Sequence, residues 1–339
     1  MIRECQSSHI LSKNVNHILF SKSSGRVICR ISLSSQIKQS ATMSYVNDEI
    51  FKEDREEIEP DVKTNEKKSS DNNKNNNKNK KDGDISTSVT PEFLSNKSYE
   101  SVEEALEMFK NDALISKPGT EFNYSTHGYT LLSAVLEKAA KTPFKEQAKQ
   151  LFNELGMNHT VVDQNEQIMP NRARYYYRDR HHKLKNVPEV DNSYKWAGGG
   201  FLSNVNDLLI FANAMLYSFH HSRNESQVSD DQSLRPLLER DALKTFWEGE
   251  VDGKHGFRYG LGWYKKPKTV EYGGGNGCTR NGFWMHTGAA VGASSVLVVK
   301  PNFNGSNTDG VCVAVLVNLH DCKNVTHLAL ELAEIFEKH

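Results

Sequence analysis

A phenol and two hydroxyl groups stand side by side at Tyr124, Ser125 and Thr126. A phenol that is held in place can give or take a proton during acyl transfer, and a neighbouring hydroxyl can bind the substrate. The stretch follows a Pro118-Gly119 pair, which favours a turn because proline presets φ and glycine accepts positive φ. Apolar side chains then recur at helical spacing over residues 129–139, which predicts that Tyr124 lies on a loop that opens a buried helix. A tyrosine that only hydrogen-bonds the turn is the alternative.

A second candidate stretch combines a histidine with small residues on a predicted strand. His286, Thr287, Gly288 and Ala289 precede a β-branched run that ends at Val299. The glycine has no side chain, so another backbone can approach the strand there. The imidazole ring of His286 can hydrogen-bond or exchange a proton near neutral pH. A histidine that only caps an edge strand is the structural alternative.

The elements that must position these stretches change type along the chain. Ser203 is expected to cap one helix, and His181-His182 is expected at the turn of a hairpin. The predicted helices are 102–109, 129–139, 143–155, 204–216 and 325–338, and the predicted strands lie within 171–184, 258–264, 283–299 and 311–318. This order predicts an α/β (α+β) fold in which helices pack on an antiparallel sheet.

Two segments before residue 98 differ in composition from the rest. Residues 1–46 are basic, rich in serine and poor in acidic residues, as mitochondrial transit peptides are. Residual domain sequence and a faulty gene model, which would make the segment non-native, are the alternatives. Residues 47–97 include a long run of Asn, Lys, Asp and Ser, which cannot bury enough apolar surface to offset the entropy of ordering. We therefore expect a disordered insertion at 47–97 and a domain over 98–339.

Composition argues against several classes of function. A net charge of −1 over 339 residues gives no support to a nucleic-acid partner. No apolar run approaches the roughly 18 residues that a membrane-spanning helix needs. The five cysteines lack the paired spacing of a disulfide framework or a zinc site. Because no phosphate-binding glycine pattern occurs either, no cofactor is expected.

Together the motifs resemble those of penicillin-binding proteins and serine β-lactamases, which use an S-x-x-K motif, a loop of the S-D-N or Y-x-N type and a K-T-G strand. From about Ser98 onwards the chain is similar to the mitochondrial serine β-lactamase-like family (LACTB). The resemblance runs through Lys117–Gly119, Tyr124–Thr126, Asp191–Leu202 and His286–Leu297 in that order. Several motifs in the same order are more specific than a single tripeptide.

The resemblance implies a role for each candidate residue. Tyr124 would be the catalytic acid or base of acyl transfer. The substrate-binding residues would be Ser125, Thr126, His286, Thr287, Gly288 and Ala289, with the Ala289 N–H as an oxyanion donor. His286 stands where relatives carry lysine, which weakens the fixed positive charge for a substrate carboxylate and favours peptide or ester substrates over penicillins. Thr126 departs from the asparagine of the wider superfamily.

The same resemblance implies a mitochondrial hydrolase linked to lipid metabolism, and a homo-oligomer is possible. The nucleophile motif, however, is missing from its expected place. The evident Ser-x-x-Lys is Ser35–Lys38, but the residues after it lack the pattern of a buried helix. Too little chain separates it from Tyr124 once the insertion is discounted. We therefore expect an N-terminally incomplete, inactive fragment that lacks the nucleophile helix and the N-terminal strands and leaves apolar surface uncovered.

The sequence is also compatible with two other functions. A non-catalytic module that keeps the groove for binding or assembly would account for the missing serine and lysine. A metal site built from His320, Cys322 and His327 is the weaker hypothesis, because no fourth ligand is evident.

Overall fold

An eight-stranded sheet positions the candidate residues. It is seen in a computed structural model that describes residues 15–23, 26–33, 91–220, 236–249, 251–252, 256–267, 269–271, 278–280, 282–302 and 310–337. The strands are β1 (Val15–Ser23), β2 (Arg26–Leu33), β3 (Val161–Val162), β4 (Tyr176–Arg178), β5 (Leu184–Asn186), β6 (Phe201–Leu202), β7 (Val251–Asp252), β8 (Arg258–Tyr259), β9 (Tyr264–Lys266), β10 (Thr269–Glu271), β11 (Cys278–Arg280), β12 (Phe283–Ala290), β13 (Ala293–Pro301) and β14 (Gly310–Val317).

The main sheet has the order β1-β2-β14-β13-β12-β9-β8-β7. All of its neighbouring strands are antiparallel except β2 and β14, which are parallel. Three pairs of short strands lie outside it, namely β3–β6, β4–β5 and β10–β11. The predicted sheet and hairpin are therefore confirmed.

Helices cover both faces of the sheet. They are α1 (Val102–Leu106), α2 (Thr126–Ala140), α3 (Phe144–Leu155), α4 (Trp196–Gly199), α5 (Val205–His220), α6 (Arg240–Glu248) and α7 (Val325–Glu337). Val296 and Val298 of β13 pack in a cluster with Ala329 of α7. Val299, the next residue, packs in a second cluster with Leu209 of α5 and Leu243 of α6. Successive strand residues thus supply two separate cores.

Local signals place the helix ends. Gly156 ends α3 in the left-handed conformation, with φ of 76°, as a glycine after the last turn predicts. At the start of α5 the side chain of Asn204, rather than the expected Ser203, accepts a hydrogen bond from the N–H of Asp207 at 2.9 Å. The Ser203 hydroxyl lies 2.8 Å from the Thr160 hydroxyl. The cap prediction was wrong by one residue because two suitable cap residues are adjacent in the sequence.

Two expectations about the beginning of the chain need correction. The N-terminal strands were expected to be missing, yet β1 and β2 extend the main sheet beside β14. Residues 91–97 were expected to belong to the disordered insertion, but Pro91–Leu94 forms a 3-10 turn and Phe93 packs against Tyr194. An apolar side chain with a core partner offsets the entropy of ordering that segment. The rest of the insertion and Ser35–Lys38 lie outside the described residues.

The helix α2 differs from its prediction in burial. It was expected to be buried, but only Thr130 and Ser133 are fully covered. Its apolar face is half-exposed and consists of Leu131, Leu132, Val135 and Leu136, with exposures between 43% and 56%. Periodicity identifies the apolar face of a helix but not whether another element covers it. The exposure of these four side chains agrees with the expectation of an uncovered apolar surface.

Candidate active site

The loop before α2 presents Tyr124. Ser125 occupies the N-cap position of the helix but its side chain makes no capping hydrogen bond. The Tyr124 side chain is half-buried, and within the described residues its hydroxyl has no hydrogen-bond partner. The prediction of a tyrosine on a helix-opening loop is confirmed. The alternative was a tyrosine whose hydroxyl only hydrogen-bonds the turn. The described residues contain no such hydrogen bond.

The sheet brings His286 to this loop from far along the sequence. The ring centroids of Tyr124 and His286 lie 6.3 Å apart. Trp284 and Met285 belong to opposite cores, so the alternation of a strand puts His286 on the Trp284 side of the sheet. The start of α2 and the middle of β12 therefore lie side by side, and the space that they border is called the cleft below.

Two further tyrosines complete the wall of this cleft. The Tyr259 ring meets the Tyr124 ring edge-on at 5.8 Å and lies 6.2 Å from His286. The Tyr264 ring lies 5.6 Å from His286 and 4.8 Å from Tyr259. The sequence predicted a strand within 258–264 but gave these residues no role in the site.

The environment of the cleft keeps its phenols protonated. Burial, followed by the neighbouring phenols of Tyr129 and Tyr264, raises the pKa of Tyr124 to about 12. Burial is also the main reason why the pKa values of Tyr259 and Tyr264 are raised. Two cations of the neighbouring strands bond to other groups. Arg258 pairs with Asp252 at 3.1 Å, and Lys265 donates to the carbonyl of Glu248 at 3.2 Å. At neutral pH Tyr124 is therefore a proton donor.

His286 is held neutral. Its Nδ1 lies 2.6 Å from the carbonyl oxygen of Thr287. Burial lowers the pKa of His286, while this hydrogen bond acts in the opposite direction. A neutral imidazole at this position can take part in hydrogen bonds but carries no fixed charge.

The backbone of β12 is open along part of one side. Strand β9 pairs only with Phe283–Met285, whereas β13 pairs with Trp284–Ala290 on the other side. Among the described residues, the segment from His286 onwards has no strand partner on its β9 side. Backbone groups along such an edge can pair with an extended ligand.

Gly288 has a steric role within the sheet. It lies directly opposite Ser295, and a Cβ atom at position 288 would lie 2.3 Å from the Ser295 hydroxyl oxygen. The glycine therefore makes room for this hydroxyl. The side chains of Thr287 and Ala289 lie on the other face of β12 from those of His286 and Gly288. At Thr287 and Ala289 the backbone, rather than the side chain, therefore faces the cleft.

The segment at 191–202 supports the start of α2. A Cβ at Gly198 would lie 2.7 Å from the Thr126 methyl carbon, so a glycine is needed where α4 meets Thr126. The Thr130 hydroxyl donates to the carbonyl of Tyr194 at 2.8 Å. These contacts fix the helix start that carries Ser125 and Thr126.

The metal hypothesis does not survive the geometry. Across the residues that the structure describes, no three His, Cys, Asp or Glu side chains converge on a metal-binding cluster. The N–H of Gly292 donates to His320 at 3.4 Å, and His327 lies 3.2 Å from Glu331 in α7. His320, Cys322 and His327 therefore serve separate local contacts. None of the described helices has the length and apolar character to cross a membrane.

Solved structures share the fold of this chain. A D-stereospecific amidohydrolase from Streptomyces sp. aligns with a TM-score of 0.53 and 20% identity over 74% of this chain and 64% of its own. An octameric penicillin-binding protein homologue from Pyrococcus abyssi aligns with a TM-score of 0.53 and 21% identity over 70% of this chain and 48% of its own. The fold is therefore that of β-lactamases and penicillin-binding proteins.

Sequence comparison identifies the family. A family model described as Beta-lactamase matches residues 72–333. The Mus musculus protein named "Serine beta-lactamase-like protein LACTB, mitochondrial" is 37% identical over 259 residues, which cover 73% of this chain and 46% of that protein. The chain belongs to the β-lactamase family, as the sequence motifs suggested, and it spans about half the length of the curated relatives it matches.

Proposed function

We propose that this chain forms the Tyr124–His286 wall of an acyl-transfer cleft that acts on peptide or ester substrates. The single observation that supports this most is the convergence of Tyr124 and His286, 6.3 Å apart, beside the open edge of β12. An extended substrate would pair with that edge, and its carbonyl oxygen would face the N–H of Ala289.

The protonation states suggest how the wall contributes. In serine acyl transfer, the serine oxygen bonds to the carbonyl carbon, its proton passes to a base, and the leaving group takes up a proton. With a pKa of about 12, Tyr124 stays protonated at neutral pH and can donate that last proton only to a strongly basic leaving group such as an alkoxide or an amide anion. For Tyr124 to accept a proton, a nearby cation such as the lysine of an S-x-x-K motif would have to lower its pKa.

The neutral cleft favours uncharged substrates. Since burial lowers the pKa of His286, the cleft lacks the fixed charge that a lysine would offer to a carboxylate. We therefore expect an ester or amide such as N-acetyl-phenylalanine ethyl ester to bind better than benzylpenicillin, and His286→Lys to reverse this preference. Equal preference in the wild type and in His286→Lys would count against this assignment.

Labelling with a fluorophosphonate probe tests the catalytic part. We expect no covalent label on this chain, because the described residues place no Ser-x-x-Lys beside Tyr124. A longer product that carries such a motif should be labelled, and Tyr124→Phe should slow that reaction. Labelling of this chain that Ser35→Ala abolishes would show that Ser35 is the nucleophile after all.

The alternative is a non-catalytic module that uses the same cleft for binding. The absence of a Ser-x-x-Lys from the described residues favours it. Binding of the N-acetyl ester that persists in both Tyr124→Phe and Ser35→Ala, without turnover, would support this alternative over the enzyme.

Two broader properties follow from the relatives as proposals. The mouse relative is named as mitochondrial, so we propose a mitochondrial location; co-localisation of the whole chain, tagged at its C-terminus, with a mitochondrial marker tests it. The Pyrococcus homologue is octameric and α2 exposes an apolar face, so we propose self-association of this chain.

A further inference from the structure

The turn between β8 and β9 is a rigid feature that borders the cleft. The N–H of Gly260 donates to the carbonyl of Trp263 at 2.8 Å, and the N–H of Leu261 donates to the carbonyl of Phe246 in α6 at 3.3 Å. A Cβ at Gly260 would lie 2.6 Å from that Phe246 oxygen, and Gly262 has a φ of 81°. Both glycines are required, one for close approach and one for its backbone conformation. The turn is thereby fixed against α6.

This turn presents Tyr259 to α2. The hydroxyl oxygens of Tyr259 and Tyr129 lie 2.6 Å apart and share a hydrogen bond. The Tyr129 hydroxyl also reaches the turn itself, since a Cβ at Gly262 would lie 3.8 Å from it. Tyr129 lies in the first turns of α2, five residues after Tyr124. The hydrogen bond therefore joins the helix that carries the catalytic loop to the sheet.

Tyr259 also contacts both sides of the cleft with its ring. It meets Tyr124 edge-on at 5.8 Å and His286 at 6.2 Å, and only 7% of the residue is exposed. A shift of this ring would change the surroundings of Tyr124 and His286 together. Because Tyr259 is anchored by its hydroxyl to α2 and by its backbone to the turn, it can fix both neighbours at once.

We propose that Tyr129 and Tyr259 are positioning residues, whose shared hydrogen bond joins α2 to the β8–β9 turn and so sets the spacing of Tyr124 and His286. The consequence for substrate binding rests on the proposed function of the cleft. The Tyr129–Tyr259 hydrogen bond, called the joint below, is a property of the free protein. The joint and the substrate binding of the cleft can therefore be tested separately.

Tyr259→Phe and Tyr129→Phe test the joint, because each removes the hydroxyl and keeps the ring. The first readout is the ¹H–¹³C spectrum of the labelled His286 ring in the ligand-free protein, followed over pH. Each variant should shift the His286 signals and move the pKa of His286 towards its ordinary value, since a looser cleft admits water. The double variant should resemble either single variant, because both remove the same bond.

The second readout is binding of N-acetyl-phenylalanine ethyl ester. We expect each single variant to weaken the dissociation constant by about fivefold. Tyr99→Phe, which changes a buried tyrosine in a different cluster, serves as the control and should leave the His286 spectrum unchanged. If Tyr259→Phe fails to fold, Tyr129→Phe breaks the same bond from a half-exposed position.

The outcomes separate the two proposals. Unchanged His286 signals in both variants, or effects that simply add in the double variant, would overturn the joint. If the ester does not bind the wild type while the His286 signals respond as expected, the joint stands and the proposed substrate class fails.

Discussion

The surroundings of Tyr124 and His286 hold each side chain in one protonation state. Burial raises the pKa of Tyr124 to about 12 and lowers that of His286. Near neutral pH the pair therefore consists of a phenol that can donate a proton and a neutral imidazole. Such perturbed groups in a cleft are typical of functional sites.

The Tyr124 phenol should titrate later than exposed tyrosines. An ordinary tyrosine ionises near a pKa of about 10, so the tyrosinate absorbance of Tyr124 should develop about two pH units higher. The difference at 295 nm between wild type and Tyr124→Phe isolates its contribution. A component near pH 10 that disappears in Tyr124→Phe would show that the phenol is not buried as described.

His286 should make stability depend on pH in the acidic range. Its pKa is lower in the folded state than in the unfolded state, where it is about 6.5. Below that pH the unfolded chain binds a proton that the folded chain does not, so the free energy of unfolding falls as pH drops below about 6.5. Urea denaturation of His286→Gln should show a weaker slope. Equal slopes in His286→Gln and the wild type would contradict the prediction.

The elements differ in how well the sequence predicts them. Helix α3 and its Gly156 stop follow from local signals, as does the terminal helix α7. The Tyr129–Tyr259 bond joins residues 130 positions apart, and no local pattern reports such a partner. The N-terminal strands were missed because the composition of residues 1–46 suggested a targeting segment, whereas their place in the sheet depends on pairing with β14.

The β12–β13 hairpin depends on one glycine. Gly292 has a φ of 90°, and a Cβ there would lie 2.4 Å from the Tyr175 Cβ. Gly292→Ala should therefore lower the free energy of unfolding by about 2–3 kcal/mol.

Gly128→Ala is the matched control. A Cβ at Gly128, in the first turn of α2, meets no atom within 4 Å, and alanine favours a helix. This variant should gain about 0.5–1 kcal/mol. Urea unfolding of the two variants should give shifts of opposite sign, and a similar shift in both would contradict this view of the hairpin turn.

Within the described residues, the apolar face of α2 is one departure from a well-covered core. Four half-exposed side chains form a contiguous surface on one helix, and such surfaces favour association. The sequence identified these residues as apolar and periodic, but their exposure depends on which elements pack beside them.

This face should drive self-association. Leu132→Glu and Val135→Glu should each shift the sedimentation profile towards the monomer, because a charge on the patch must be desolvated on association. Leu184→Glu, at an exposed position in β5, is the control and should not change the profile. A wild-type chain that is monomeric at high concentration and unfolds in one cooperative transition would contradict the uncovered face.

Hydrogen exchange of the backbone amides, with and without saturating N-acetyl-phenylalanine ethyl ester, shows directly whether the cleft binds an acyl ligand. We expect slower exchange at two segments that are distant in sequence, residues 122–129 and residues 286–289, and unchanged exchange in the β4–β5 hairpin. Protection at both segments would place an acyl ligand between Tyr124 and the open edge of β12. If the ester saturates the protein but the amides of residues 286–289 exchange as fast as before, this cleft does not bind the acyl group.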